Sequence, residues 1–112
     1  MAKALEPLVI NEAVDGIIKL TDVPDGATAR IPPGPLAEDG PITPFFVQVV
    51  LDGKLIGERF TGTTPHSETI EIKVSRADLL KNIGPQGAEF AYRVNLGGNP
   101  VDAPFTKYEI TH

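Results

Sequence analysis

Apolar and polar residues alternate with a period of two along most of the chain. In "SETIEIKVS" (67–75), Ile70, Ile72 and Val74 alternate with Thr69, Glu71 and Lys73, the pattern of a half-buried strand. In "GAEFAYRVNL" (87–96), Phe90, Tyr92, Val94 and Leu96 share one face, while Glu89, Ala91, Arg93 and Asn95 share the other. "FFVQVVLDGKLIGERF" (45–60) reads as two strands about Asp52-Gly53, since a type I′ turn needs positive φ at both central positions. Val47, Val49 and Leu51 form its inward set, and the consecutive Phe45 and Phe46 leave the register open at the start. Shorter strands fit "EPLVINEAV" (6–14), "GIIKL" (16–20) and "ATARIP" (27–32), and a last one fits "APFTKYEIT" (103–111). That last strand turns Tyr108 and Ile110 inward, with Phe105 capping its start.

Two segments depart from this period. "IPPGPLAEDGPITP" (31–44) carries five prolines and is expected to be a long irregular crossing loop. "SRADLLKNIG" (75–84) offers Ser75 as an N-cap, Leu79, Leu80 and Ile83 at helical spacing, and Gly84 as a stop, which predicts one or two helical turns. About seven strands with turn signals every 8–12 residues predict an all-β fold, an immunoglobulin-like antiparallel β-sandwich. Its expected core is Ile18, Leu20, Ile31, Val47, Val49, Leu51, Ile70, Ile72, Val74, Phe90, Tyr92, Val94 and Ile110. No internal repeat is visible, so residues 1–112 read as one domain.

Composition narrows the function classes. A net charge of −5 argues against a phosphate-binding surface and against anionic membranes. With no cysteine, neither a disulfide nor a thiolate site is available, and stability rests on packing. No apolar run approaches the ~20 residues that cross a bilayer. The opening "MAKALEP" lacks the apolar stretch of a signal peptide, so an export address is expected in a parent chain or in a C-terminal signal outside this sequence.

Several residue groups invite a chemical reading. Asp15, Asp22 and Asp25, with Asp102 considered as a fourth, could suggest Ca²⁺, which takes six to eight oxygens supplied at close intervals. Their spacings are seven and three, and Pro24-Asp25-Gly26 is a strong turn signal, so turn chemistry is preferred to a metal site. His66, beside Thr63, Thr64 and Ser67, lacks the strand-to-helix elbow and orienting acid of a nucleophilic triad, and is expected to be a loop residue. "LGGNP" (96–100) and "IGPQG" (83–87) precede no helix and read as turns, not phosphate cradles. Lys19, Lys73 and Lys107 fall on polar faces, which disfavours an internal isopeptide bond. Thr69, Glu71 and Lys73 are expected on a different sheet from Glu89, Arg93 and Asn95, as solvated faces. The expectation is therefore no catalytic residue, no cofactor and no metal.

The order of these features resembles a known family. "LEPLVINEAVDGIIKLTDVPDGATARIPP", the Gly/Pro crossing, the pair about Asp52-Gly53, "ETIEIKVSRADLL" and "AEFAYRVNL" resemble immunoglobulin-like modules of Gram-negative bacteria. These modules are often found in tandem in large exported or surface proteins of pseudomonads and relatives. The chain departs from them in carrying Asp39-Gly40 where such modules often have Gly-Asp, and in lacking tryptophan. The resemblance implies a non-enzymatic structural or adhesive spacer, extracellular through a parent chain, whose partners are neighbouring modules or a protein or glycan. Tyr92 is then expected to act as a tyrosine corner, its hydroxyl bonding backbone near the helical turn. Two further readings fit the sequence: a ligand-recognition module acting through loops 33–44 and 97–104, and an accessory β-domain of an enzyme.

Overall fold

The alternating segments become strands whose apolar faces meet between two sheets. The computed structural model describes residues 5–37 and 39–112; Met1–Ala4 of "MAKALEP" and Glu38 of the crossing loop lie outside the described residues. Among the described residues the strands are β1 (Val9–Ile10), β2 (Ile17–Lys19), β3 (Ala27–Ile31), β4 (Pro44–Leu51), β5 (Lys54–Thr63), β6 (Ile70–Val74), β7 (Gly84–Leu96), β8 (Asn99–Asp102) and β9 (Thr106–Thr111). One helix, α1 (Arg76–Leu80), joins β6 to β7. One sheet has the order β1-β3-β6, and the other β2-β9-β7-β4-β5 with β8 also paired to β7. This is the layer and strand arrangement of an immunoglobulin-like sandwich, 45 × 24 × 21 Å in extent.

All thirteen expected core residues are buried. Phe45 joins them, which settles the register at the start of β4 and turns Phe46 to the outer face. The Asp52-Gly53 turn has φ of 49° and 83°, as type I′ requires, and Asp52 Oδ1 also accepts the Glu89 N–H at 2.9 Å. At α1 the Ser75 hydroxyl oxygen caps the helix by accepting the Asp78 N–H at 3.1 Å, and the hydroxyl donates to the Asp78 carboxylate at 2.8 Å. Leu79 then fills the core while Leu80 stays exposed.

Five expectations need correction. The sandwich is not wholly antiparallel, because β2 pairs with β9 in parallel, Ile18 beside Ile110. Residues 6–14 form only a two-residue strand, since the chain must leave the first sheet after Ile10 to reach the second at Ile17. The crossing loop contains a 3-10 turn, Gly34–Ala37, which sinks Leu36 into the core. Pro85-Gln86-Gly87 is no turn but an irregularity inside β7, where the pairing with β9 shifts between Gly84 and Ala88. Phe105 is 57% exposed and caps nothing, because β9 starts one residue later and points it outward.

The seam between β1 and the opposite sheet was not expected. The outward edge of residues 6, 8 and 10, which β3 does not pair, is closed by side chains of the second sheet. Tyr92 donates its hydroxyl to the Glu6 carbonyl, Thr106 donates to the Leu8 carbonyl at 3.3 Å, and the Tyr108 oxygen accepts the Ile10 N–H at 3.1 Å. The Tyr92 hydroxyl therefore holds the N-terminal segment and not the backbone near α1.

Candidate functional site at the loop end

The four carboxylates do not come together. Asp15 sits in a second type I′ turn, Val14–Ile17, with φ of 53° at Asp15 and 77° at Gly16. Gly26 N–H bonds the Val23 carbonyl at 3.0 Å, closing the turn through Pro24 and Asp25. Asp25 has no positive φ, so this turn is type I, with Gly26 at φ 101° carrying the left-handed residue. Asp102 lies across the molecule on β8 and accepts from Arg93 Nε at 2.7 Å. Among the described residues no three His, Asp or Glu side chains are grouped closely enough to hold a metal ion.

His66 is more than a loop residue. Its ring packs edge-on against Phe45 and Phe60, centroids 5.6 and 5.5 Å away. Its Nε2 is buried without a hydrogen-bond partner among the described residues. Thr64 beside it is structural: its hydroxyl accepts the Thr43 N–H and donates to the Pro41 carbonyl, both at 3.1 Å. Lys19, Lys73 and Lys107 are exposed, away from the core that an isopeptide bond would need. Arg30 reaches Glu71 at 3.9 Å on the outer face of the first sheet, and Arg93 pairs with Asp102 on the second. The two polar ladders thus lie on separate faces.

Most of the chemistry that could meet a partner gathers where β3, β7 and β5 end. The crossing loop, residues 64–69 and the Gly97-Gly98 turn share this end. Gly97 N–H bonds the Pro44 carbonyl at 3.0 Å, so the first loop and the β7–β8 turn touch. Both glycines have positive φ, 59° and 91°, which makes this a third two-residue hairpin turn. Residues 99–102, expected in a binding loop, are instead β8, and Ala103 is buried. What remains at the tip is Ile42, 79% exposed although Thr64 pins the backbone on both sides of it.

Beside this tip an open apolar groove of about 370 Å³ runs between Phe46, Thr61, Asn95 and Gly98. Arg59 covers the Phe46 ring, its guanidinium carbon 4.5 Å from the centroid, so the ring is not a bare stacking platform. A larger groove, about 420 Å³, follows the outside of β1 between Glu6, Val9, Arg30 and Thr69. Sequence reasoning located the crossing loop but missed Ile42, Phe46 and Arg59. Only the consecutive phenylalanines hinted that one of them had to face out.

What the described residues offer at this end is shape and apolar contact. No protein-family model matches the chain, and comparison with curated proteins and with solved structures likewise finds no match.

Proposed function

We propose that this chain is a non-catalytic, immunoglobulin-like structural or adhesive module, a spacer or interaction unit within a larger exported or surface protein of the bacterial kind it resembles. The observation that carries this reading is the path of the chain. β7 runs the length of the molecule, from Gly84 beside Ile110 to Leu96 beside Phe45. The N-terminal segment lies at the level of Tyr92 and runs away from the loop end. β9 leaves at the opposite end, beside Gly84. The described chain therefore begins on the loop-end side and departs at the opposite end of β7, the arrangement that joining modules in series uses.

The mechanism is mechanical. Tension applied along this path pulls β2 and β9 in opposite senses along their shared parallel ladder. Its hydrogen bonds then share the load instead of parting one at a time. The pair under shear is the parallel one.

Small-angle scattering from two copies joined end to end tests the reading. A longest dimension near twice 45 Å supports a spacer; a collapsed, side-by-side particle would sink it. A second reading, ligand recognition through the loop end, is favoured by the pinned and exposed Ile42. Binding on a glycan or protein array that Ile42→Asp abolishes would support that reading over a purely structural role.

A further inference from the structure

Residues 5–10 occupy a slot that recognises an extended segment almost entirely through features any identical segment would supply. Leu8 and Ile10 fill the core completely. The backbone at Glu6, Leu8 and Ile10 is read by three hydroxyl groups of the second sheet, those of Tyr92, Thr106 and Tyr108. On the other edge β3 pairs Val9 with Arg30 and Ile10 with Ala29, and Asn11 N–H bonds the Thr28 carbonyl at 2.9 Å. The ladder is only two residues long, yet Leu8 and Ile10 are buried and three hydroxyls meet the backbone edge that β3 leaves free.

The connection that ties this segment to the rest of the molecule is a tight reversal, Val14–Ile17. It holds Asp15, a residue with a Cβ, in the left-handed region at φ 53°. Val14, Asp15 and Gly16 are all exposed, so opening the turn takes only the half-buried Ala13 from the apolar core, while Asn11 and Glu12, which bond Thr28 at 2.9 and 2.7 Å, travel with the segment. Six residues extended span roughly 20 Å, enough to carry the segment clear of its own slot.

We propose that the segment exchanges between two copies of this chain, residues 5–10 of each filling the slot of the other. An emptied slot leaves the Tyr92 and Tyr108 hydroxyls without partners and opens the core above Leu8, so the open form does not persist. A second copy supplies the same side chains and the same backbone, and the contacts of residues 5–10 are restored, leaving only the Val14–Ile17 turn open. Only the shape of the hinge and the protein concentration then decide between closed monomer and exchanged dimer. This goes beyond the spacer reading and does not depend on it, since a spacer works equally well with every segment at home.

The hinge can be perturbed without touching the slot. A Cβ at Gly16 would meet no atom within 4 Å, and the residue has φ of 77°. Gly16→Val therefore acts only by disfavouring the closed turn. The expected effect is about tenfold for each hinge, hence about a hundredfold in the dimerisation constant, read by size-exclusion chromatography after refolding over a range of concentrations. The location of the exchange is read by disulfides, in a chain that has no cysteine of its own. Val9 and Arg30 face each other across the ladder, at a spacing a disulfide can bridge.

Chains carrying Val9→Cys alone and Arg30→Cys alone, refolded together and oxidised, are expected to give the mixed dimer in excess over both homodimers. The excess should grow with concentration and with Gly16→Val. The proposal is overturned if Gly16→Val stays monomeric at every concentration, or if mixed disulfides are no more frequent than random pairing gives. Should Gly16→Val fail to fold, the cysteine mixture on the native hinge at high concentration decides by the same measurement. End-to-end scattering of joined copies is unaffected by either result.

Discussion

Substituting phenylalanine for Tyr92 removes one oxygen from the centre of the molecule and leaves the ring that fills it. The ring is fully buried, so little cavity is created, and the loss is one hydrogen bond together with the desolvation of an unpaired Glu6 carbonyl. That places the penalty at about 1–2 kcal/mol near neutral pH, read as a shift in urea midpoint at unchanged slope. The dependence on pH separates this cause from a simple packing defect. Burial, with the Glu6 carboxylate adding to it, pushes the Tyr92 hydroxyl up from 10.0 to about 12.

A group whose pKa is higher in the folded chain than in the unfolded one keeps its stabilisation below the unfolded value. It loses that stabilisation as pH climbs through the folded value. Native stability should therefore fall between pH 10.0 and about 12, by an amount on the order of 2–3 kcal/mol from this residue. The variant cannot lose it. The quantity to measure is the difference between the two proteins at each pH, in which every contribution they share cancels. The gap should be widest near neutrality, close as the solution becomes alkaline, and reverse in sign near the folded value of about 12. A variant with an unchanged midpoint, or one whose alkaline decline runs parallel to the native curve, would refute the reasoning.

Other substitutions test other joints. Gly26→Ala should cost about 2–3 kcal/mol or prevent folding, because the residue has φ of 101° and its Cβ would be driven into the Val74 carbonyl; a thermal midpoint within a degree of native would contradict this. His66→Phe should raise stability by about 1 kcal/mol, since it replaces a buried, unpartnered Nε2 and keeps the edge contacts with Phe45 and Phe60; a lower denaturation midpoint would show that the nitrogen has a partner. Leu36→Ala should lose about 2–4 kcal/mol, although it lies in a proline-rich loop, because its side chain is buried as deeply as any in the strands; proteolysis of the crossing loop would report the same change.

The parts of the fold that were legible in the sequence are those decided within a few residues. Ile70, Ile72 and Val74 could face only one way, and Asp52-Gly53 could make only a turn with positive φ at both positions. What was hidden depended on partners far along the chain. "EPLVINEAV" reads as one strand, and nothing in it says that the chain changes sheet after Ile10. That change is dictated by Tyr92, Thr106 and Tyr108, more than eighty residues away. Leu36 could not be told from its loop because apolar periodicity needs neighbours, and prolines surround it. The loop end was anticipated as a place, but the turn between β7 and β8 proved too tight to leave a long loop after it. His66 gave no local signal either, since the two rings that enclose it come from β4 and β5.

The hydroxyl seam and the parallel β2–β9 pair act on the same stretch of chain, and their order matters for a module under tension. Force arriving from the N-terminal side reaches residues 6–10 first, and meets three side-chain hydrogen bonds and a two-residue ladder. Only when these yield does the load pass through the Val14–Ile17 turn to β2, whose Ile17–Lys19 ladder with β9 is the next barrier. Two barriers in series predict two events when the protein is stretched by its ends. A small early extension frees residues up to the turn, a few tens of Å at roughly 3.5 Å per residue. A larger rupture then releases the remaining chain. Tyr108→Phe, which leaves the Ile10 N–H unpaired, should lower the force of the first event and spare that of the second. A single event whose force drops in that variant would mean that the seam and the parallel pair yield together, as one mechanical unit.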